Sequence, residues 1–152
     1  MIEVELTEYE LQMGASVGVR RHIEALAKGL PDKHGFDEVG WNIHVEGALG
    51  ELAVGKAIGR FWNGSSGTFK QGGDLGLVQV RTRSKHHYDL IVRDADRDED
   101  VFILCTGTAP KYCVWGWTYG ADAKKPEFAQ TYGGRPVAFF VPKANLNPLD
   151  PT

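Results

Sequence analysis

Four polar residues of this chain stand at spacings that suit phosphate chemistry: Glu51, Asp74, Gln79 and Arg81. Asp74 follows Gly72-Gly73 and opens the run Leu75-Gly76-Leu77-Val78-Gln79-Val80-Arg81-Thr82-Arg83. Side chains alternate along a strand, so Val78 and Val80 point one way and Gln79, Arg81 and Arg83 the other. Carboxylate oxygens hold a hard cation such as Mg²⁺, and a guanidinium clamps a phosphate. A strand with valines on one side and two guanidiniums on the other can therefore serve a phosphate. It can equally be an edge strand with one solvated face.

The elements around it decide what these residues can meet. A helix is expected from about Ile43 to Gly59, with Val45, Ala48, Leu49 and Leu52 on its apolar face at 100° per residue. Glu51 falls at the edge of that face, aligned with His44, Gly47, Gly55 and Ile58, whereas Glu46 lies about 140° away and is solvated. Gly47, Gly50, Gly55 and Gly59 each cost a helix about 1 kcal/mol relative to alanine, so this helix packs tightly on a sheet or leaves room for a ligand. Glu51 is accordingly the better site candidate. The run Gly50-x-x-x-x-Gly55-Lys56-Ala57 comes within one residue of a P-loop, but it reads as helix interior and Ala57 replaces the metal-binding hydroxyl.

The remaining elements are read in order. Thr7 and Glu10 form a capping box that starts a helix with an apolar stripe at Leu11, Ala15, Val19, Ile23, Leu26 and Leu30. Gly29 and Pro31 end it, and Gly14 and Gly18 permit close approach on its flank. Strands are expected near Thr68–Lys70, at Val78–Arg83, Tyr88–Arg93, Val101–Thr106, Tyr112–Tyr119 and Val137–Val141, with a short helix around Ala123–Gln130 broken by Pro126. Trp115, Trp117 and Tyr119 are expected on one face, as buried aromatics against a helix or as a stacking platform for bases. Asp94–Asp100 has the oxygens of a calcium loop without its glycine or its closing glutamate, and reads as a solvated turn. The pattern predicts one α/β domain over residues 1–152, a mixed sheet of about five or six strands flanked by helices.

Bulk properties narrow the function. The 152 residues are 42% apolar and 24% charged, with a formal net charge of −3. No overall basic field draws the chain to nucleic acid, so such binding must come from a local cluster. Lys70, Arg81, Arg83, Lys85, His86, His87 and Arg93 form one. No apolar run approaches the roughly 20 residues that span a bilayer. The acidic N-terminus lacks the pattern of a signal peptide. Cys105 and Cys113 read as reduced thiols, and a cytoplasmic location is expected. Adjacent His86 and His87 point to opposite faces in a strand and do not make a zinc pair with His44.

The order Gly50-Glu51-Leu52-Ala53, Gly73-Asp74 and Gln79-Val80-Arg81 resembles the PD-(D/E)XK nuclease superfamily. There an early helix supplies a glutamate, and an aspartate precedes a strand bearing acid-x-lysine. Val78–Arg83, with Trp115-Gly116-Trp117 and Arg135–Pro142, also looks like uncharacterised phage-encoded proteins of this kind. The resemblance implies a restriction-endonuclease-like core and Mg²⁺- or Mn²⁺-dependent cleavage of DNA. Asp74, Glu51 and Gln79 would be metal ligands, Arg81 the catalytic cation, and Arg81, Arg83, Lys85, His86 and Lys70 the nucleic-acid contacts. Glutamine is tolerated at the acidic position in Mrr-like restriction enzymes. Arg81 departs further, since arginine stays protonated and cannot take up a proton as lysine can. Two other expectations stand beside the nuclease: a catalytically degenerate nucleic-acid-binding or phage accessory protein on the same fold, and an interaction protein whose polar strand faces solvent.

Overall fold

The computed structural model describes residues 1–29, 40–64 and 78–149. Lys70, Asp74 and the strand expected near Thr68–Lys70 lie outside the described residues. Strand β1 (Ile2–Glu5) leads into helix α1 (Glu8–Ala27), and helix α2 (Gly40–Ile58) follows. Then come β2 (Val78–Arg83), β3 (Leu90–Arg93), β4 (Val101–Thr108) and β5 (Lys111–Tyr119). Helix α3 (Gly120–Ala123), a 3₁₀ turn at Pro126–Phe128, β6 (Ala129–Gln130) and β7 (Ala138–Val141) complete the main elements.

The α/β class and the mixed sheet agree with the expectation; the number and arrangement of strands do not. The described strands form two sheets, one ordered β1-β5-β4-β2 and one ordered β3-β7-β6. In the first, β2 runs parallel to β4 while the β4–β5 and β5–β1 pairs are antiparallel. Alternation along a strand states which residues share a face, but not which strand pairs with which. That is why a single sheet of fewer strands was expected.

β4 divides the interior. Ile103 and Cys105 belong to a core shared with Ala48, Leu49, Leu52, Ala53 and Val54 of α2. Phe102 and Leu104, pointing the other way, belong to a second core with Leu90, Val92, Phe139 and Val141 of the small sheet. The molecule thus has three layers: two helices, the four-stranded sheet and the three-stranded sheet. Cys105 and Cys113 are both free, and burial pushes the Cys105 thiol up to about 12, which leaves it un-ionised at neutral pH.

The helices sit as close as their glycines allow. At α1, Thr7 Oγ1 accepts from the Glu10 amide while Glu10 Oε1 accepts from the Thr7 amide, completing the capping box. A Cβ on Gly18 would lie 2.4 Å from Val45 Cα. One on Gly50 would lie 1.9 Å from Thr82 Oγ1, so α2 presses directly on β2. This close approach sets the buried face of α1 at Gly14, Gly18 and His22. The expected stripe is rotated away from it: Val19, Ile23 and Leu26 are exposed. Glycines, which carry no hydrophobic signal, define the contact here in place of the large apolar residues.

A candidate nucleic-acid interface

The Gln79/Arg81/Arg83 face of β2 is fixed by its register on β4. Gln79 pairs with Phe102, Arg81 with Leu104 and Arg83 with Thr106. Val78 and Val80 pack into the helix-side core, and Thr82 meets Gly50 of α2. The polar trio therefore projects from the opposite side, towards the small sheet. Arg81 Cζ stands 5.0 Å from the centre of the Phe102 ring, consistent with that side.

Glu51 is on the other side. Its Oε2 is 2.9 Å from Arg21 Nη1 of α1 and accepts from Trp62 Nε1 at 3.1 Å. These partners belong to the helix layer. The described residues therefore do not bring Glu51 together with Gln79 and Arg81: β2 itself stands between them. Asp74 lies outside the described residues. Glu51 on α2 and Gln79 on the far face of β2 do not fit a shared shell for Mg²⁺ or Mn²⁺. Among the described residues no group of three or more His, Cys, Asp or Glu side chains is placed to hold a metal ion.

The two arginines differ in their partners. Arg81 Nη2 is 2.7 Å from Asp96 Oδ2, so its charge is answered by a carboxylate. Arg83 donates from Nη1 to the Asp89 carbonyl at 3.0 Å and lies 4.2 Å from the centre of the Tyr88 ring. Among the described residues it has no carboxylate partner. Burial pulls its pKa below the ordinary value, against the opposing influence of Tyr88 and Asp89. A partly desolvated guanidinium with most of its five N–H groups unspent is a ready receptor for an oxyanion.

Around Arg83 the chain gathers further donors at the carboxyl ends of the parallel strands β2 and β4, where open α/β sheets commonly bind ligands. Thr106, fully buried, accepts from Trp115 Nε1 at 2.7 Å and stands 2.7 Å from His86 Nδ1. Indole nitrogen only donates, and the Thr106 oxygen keeps a second lone pair, so the hydrogen of the His86–Thr106 bond can come from either side. Either way, Nε2 of the exposed His86 ring takes no part in this bond. Lys143 donates to the Tyr88 carbonyl at 2.8 Å and lies 5.0 Å from the Trp115 ring centre. Lys85 is exposed beside them. Arg83, His86 and Lys143 thus surround Thr106, Tyr88 and Trp115, and Lys85 accepts from the Tyr88 amide through its carbonyl in the adjoining turn.

Trp115 reaches this site through a β-bulge. Leu104 pairs with Gly116 but Cys105 with Val114, so Trp115 is the extra residue of β5. The bulge reverses the alternation. Trp115 packs against the small-sheet core and Trp117 against the helix-side core, so they do not share one face as expected. Gly116 was the available signal, because glycine inside a strand marks a bulge or a close backbone approach. A Cβ there would lie 2.6 Å from the Asn147 carbonyl. Lys143 carried no sequence signal at all, being 60 residues from Arg83 in a proline-rich tail.

The acidic turn after β3 behaves as a turn. Lys124 Nζ donates to the carbonyls of Asp94 and Asp96 and to Asp98 Oδ1, an ammonium collected by oxygens on three sides. Lys56, of the P-loop look-alike, is likewise spent: it donates to Glu10 Oε1 and the Glu5 carbonyl. No described helix is long and apolar enough to cross a membrane. Comparison of the chain with protein-family models, characterised proteins and solved structures yields no match.

Proposed function

We propose that this chain binds DNA through phosphate contacts at the carboxyl ends of β2 and β4, and that it is a catalytically degenerate relative of the PD-(D/E)XK nucleases. Arg83 carries this reading: a half-buried guanidinium answered by a carbonyl and a ring, with no carboxylate at ion-pair distance among the described residues and the Asp89 charge acting from further off. Burying a charge is unfavourable unless a partner compensates it, and a backbone phosphate supplies that partner. Lys85, His86 and Lys143 add donors around the same point, and Arg81 extends the basic line along β2. In this reading the Glu51, Asp74 and Gln79-x-Arg81 order is retained from a restriction-endonuclease-like ancestor. Glu51 lies on the opposite side of β2 from Gln79 and Arg81, which supports a binding role over metal-dependent hydrolysis.

The test is fluorescence anisotropy with labelled duplex DNA. Arg83→Ala should weaken binding about tenfold or more, the scale of a lost charge-assisted hydrogen bond. Its logarithmic salt slope should be shallower by about one unit than that of the parent. Equal affinities for parent and variant would sink the proposal. The same DNA is incubated with Mg²⁺ or Mn²⁺ beside Asp74→Ala. Cleavage by the parent that disappears in Asp74→Ala would replace the binding reading with the nuclease one.

A further inference from the structure

The crossing of α1 and α2 holds a second constellation, on the helix side of the sheet. His22 is 8% exposed, and its Nδ1 stands 2.9 Å from Nδ1 of His44. Two glycines impose this approach. A Cβ on Gly18 would collide with the α2 backbone, and one on Gly40 would come 2.5 Å from His22 Cε1. Trp41 closes the far side, its ring centre 4.2 Å from that of His22. The neighbouring cation, Arg21, is already ion-paired with Glu51. The two imidazole nitrogens are thus held together by the backbone of two helices, and they share one hydrogen between them.

We propose that His22 and His44 form a two-histidine chelate for a late first-row divalent ion, with Cu²⁺ or Ni²⁺ the best fit. Imidazole suits these ions, and their affinity for nitrogen sites stands at the top of the divalent series. With metal–nitrogen bonds of about 2.0–2.1 Å, two ligands at right angles lie about 2.9 Å apart, and two tetrahedral ligands about 3.4 Å apart. The observed 2.9 Å is the length of the hydrogen bond the rings share; it holds both nitrogens within reach of one ion, and rotation of the half-exposed His44 ring turns the two lone pairs onto it. On binding, both Nδ1 lone pairs go to the ion. The hydrogen that lay between the rings moves to the Nε2 of the same ring through solvent, so a neutral pair releases no net proton. Water fills the remaining positions. With two protein donors the site is weaker than a four-ligand structural zinc centre, and it acts as a clasp on an already folded helix pair.

The experiment titrates the metal-free chain with CuCl₂ or NiCl₂, followed by calorimetry and by tryptophan fluorescence. One ion should bind per chain and quench the emission, and Trp41→Phe should remove most of that quenching. His44→Gln and His22→Gln should each weaken binding at least tenfold. His44 is half-exposed, so His44→Gln is the variant expected to fold, checked by circular dichroism. His87→Gln, altering an exposed histidine away from the helices, should leave the titration unchanged. The proposal is overturned if no one-to-one binding is seen. It is equally overturned if His44→Gln binds as the parent does, or if the loss follows His87→Gln instead.

Discussion

The two faces of β2 answer charge in opposite ways. On the helix side, Glu51 is set against Arg21 and Trp62, and Thr82 is pressed so closely by Gly50 that no side chain fits between. On the other side, Arg81 is answered by Asp96 but Arg83 only by a carbonyl and an aromatic ring. A carboxylate already satisfied contributes to holding a fold together. A guanidinium left half-buried and short of acceptors is available to something from outside. Under the proposed function, the difference assigns the DNA-facing side to the Arg81/Arg83 face, while Glu51 lies on the other side of the strand.

That comparison can be attacked from either face. The largest effect is expected at Phe102, which is fully buried and underlies Arg81. Phe102→Ala should cost about 3–5 kcal/mol in chemical denaturation and weaken DNA binding with it, since Arg81 loses the ring it lies over. Arg21→Met leaves Glu51 without its ion-pair partner and should cost about 1–3 kcal/mol while DNA affinity stays that of the parent. A loss of binding there would mean that the faces are not separate. Asp96→Asn releases Arg81 and should raise DNA affinity by a few-fold at low salt, an increase that shrinks as salt screens it.

The smallest effect tests the helix side through pH. The side-chain hydrogen bond from Lys56, then the Thr7 backbone amide, hold Glu10 below the usual carboxylate range. The folded pKa is depressed, so this contribution is fully present above the unfolded value and is lost as pH falls through the folded one. Lys56→Met should therefore flatten the acid limb of the stability–pH curve, by well under 1 kcal/mol for so exposed a pair. DNA affinity at neutral pH should not follow.

Much of this was legible in the residues. The Thr7–Glu10 cap, the course of α2, the face shared by Gln79, Arg81 and Arg83, and the hairpin of β4 and β5 all follow from local patterns of period and capping. Three things were not. The buried face of α1 is made by Gly14, Gly18 and His22, and hydrophobic periodicity instead selects Val19, Ile23 and Leu26, which are exposed. The bulge at Trp115 reverses alternation midway along β5, which no counting of every second residue can anticipate. The pairing of Arg81 with Asp96 is made by a turn whose position depends on how β3 leaves one sheet for the other. Local rules read faces; partners across layers come from the tertiary arrangement.

Lys124, drawn into the oxygens of the turn that carries Asp96, gives the basic strand a further property. Because this cation is covalently part of the chain, its local concentration is set by the backbone and not by the surrounding solution. The oxygens a cation would need are thus already taken by a tethered ammonium, and added calcium should leave the turn unchanged in a titration followed by circular dichroism. Lys124 in this way holds Asp96 in place for Arg81, and so keeps the two arginines of the strand unlike one another.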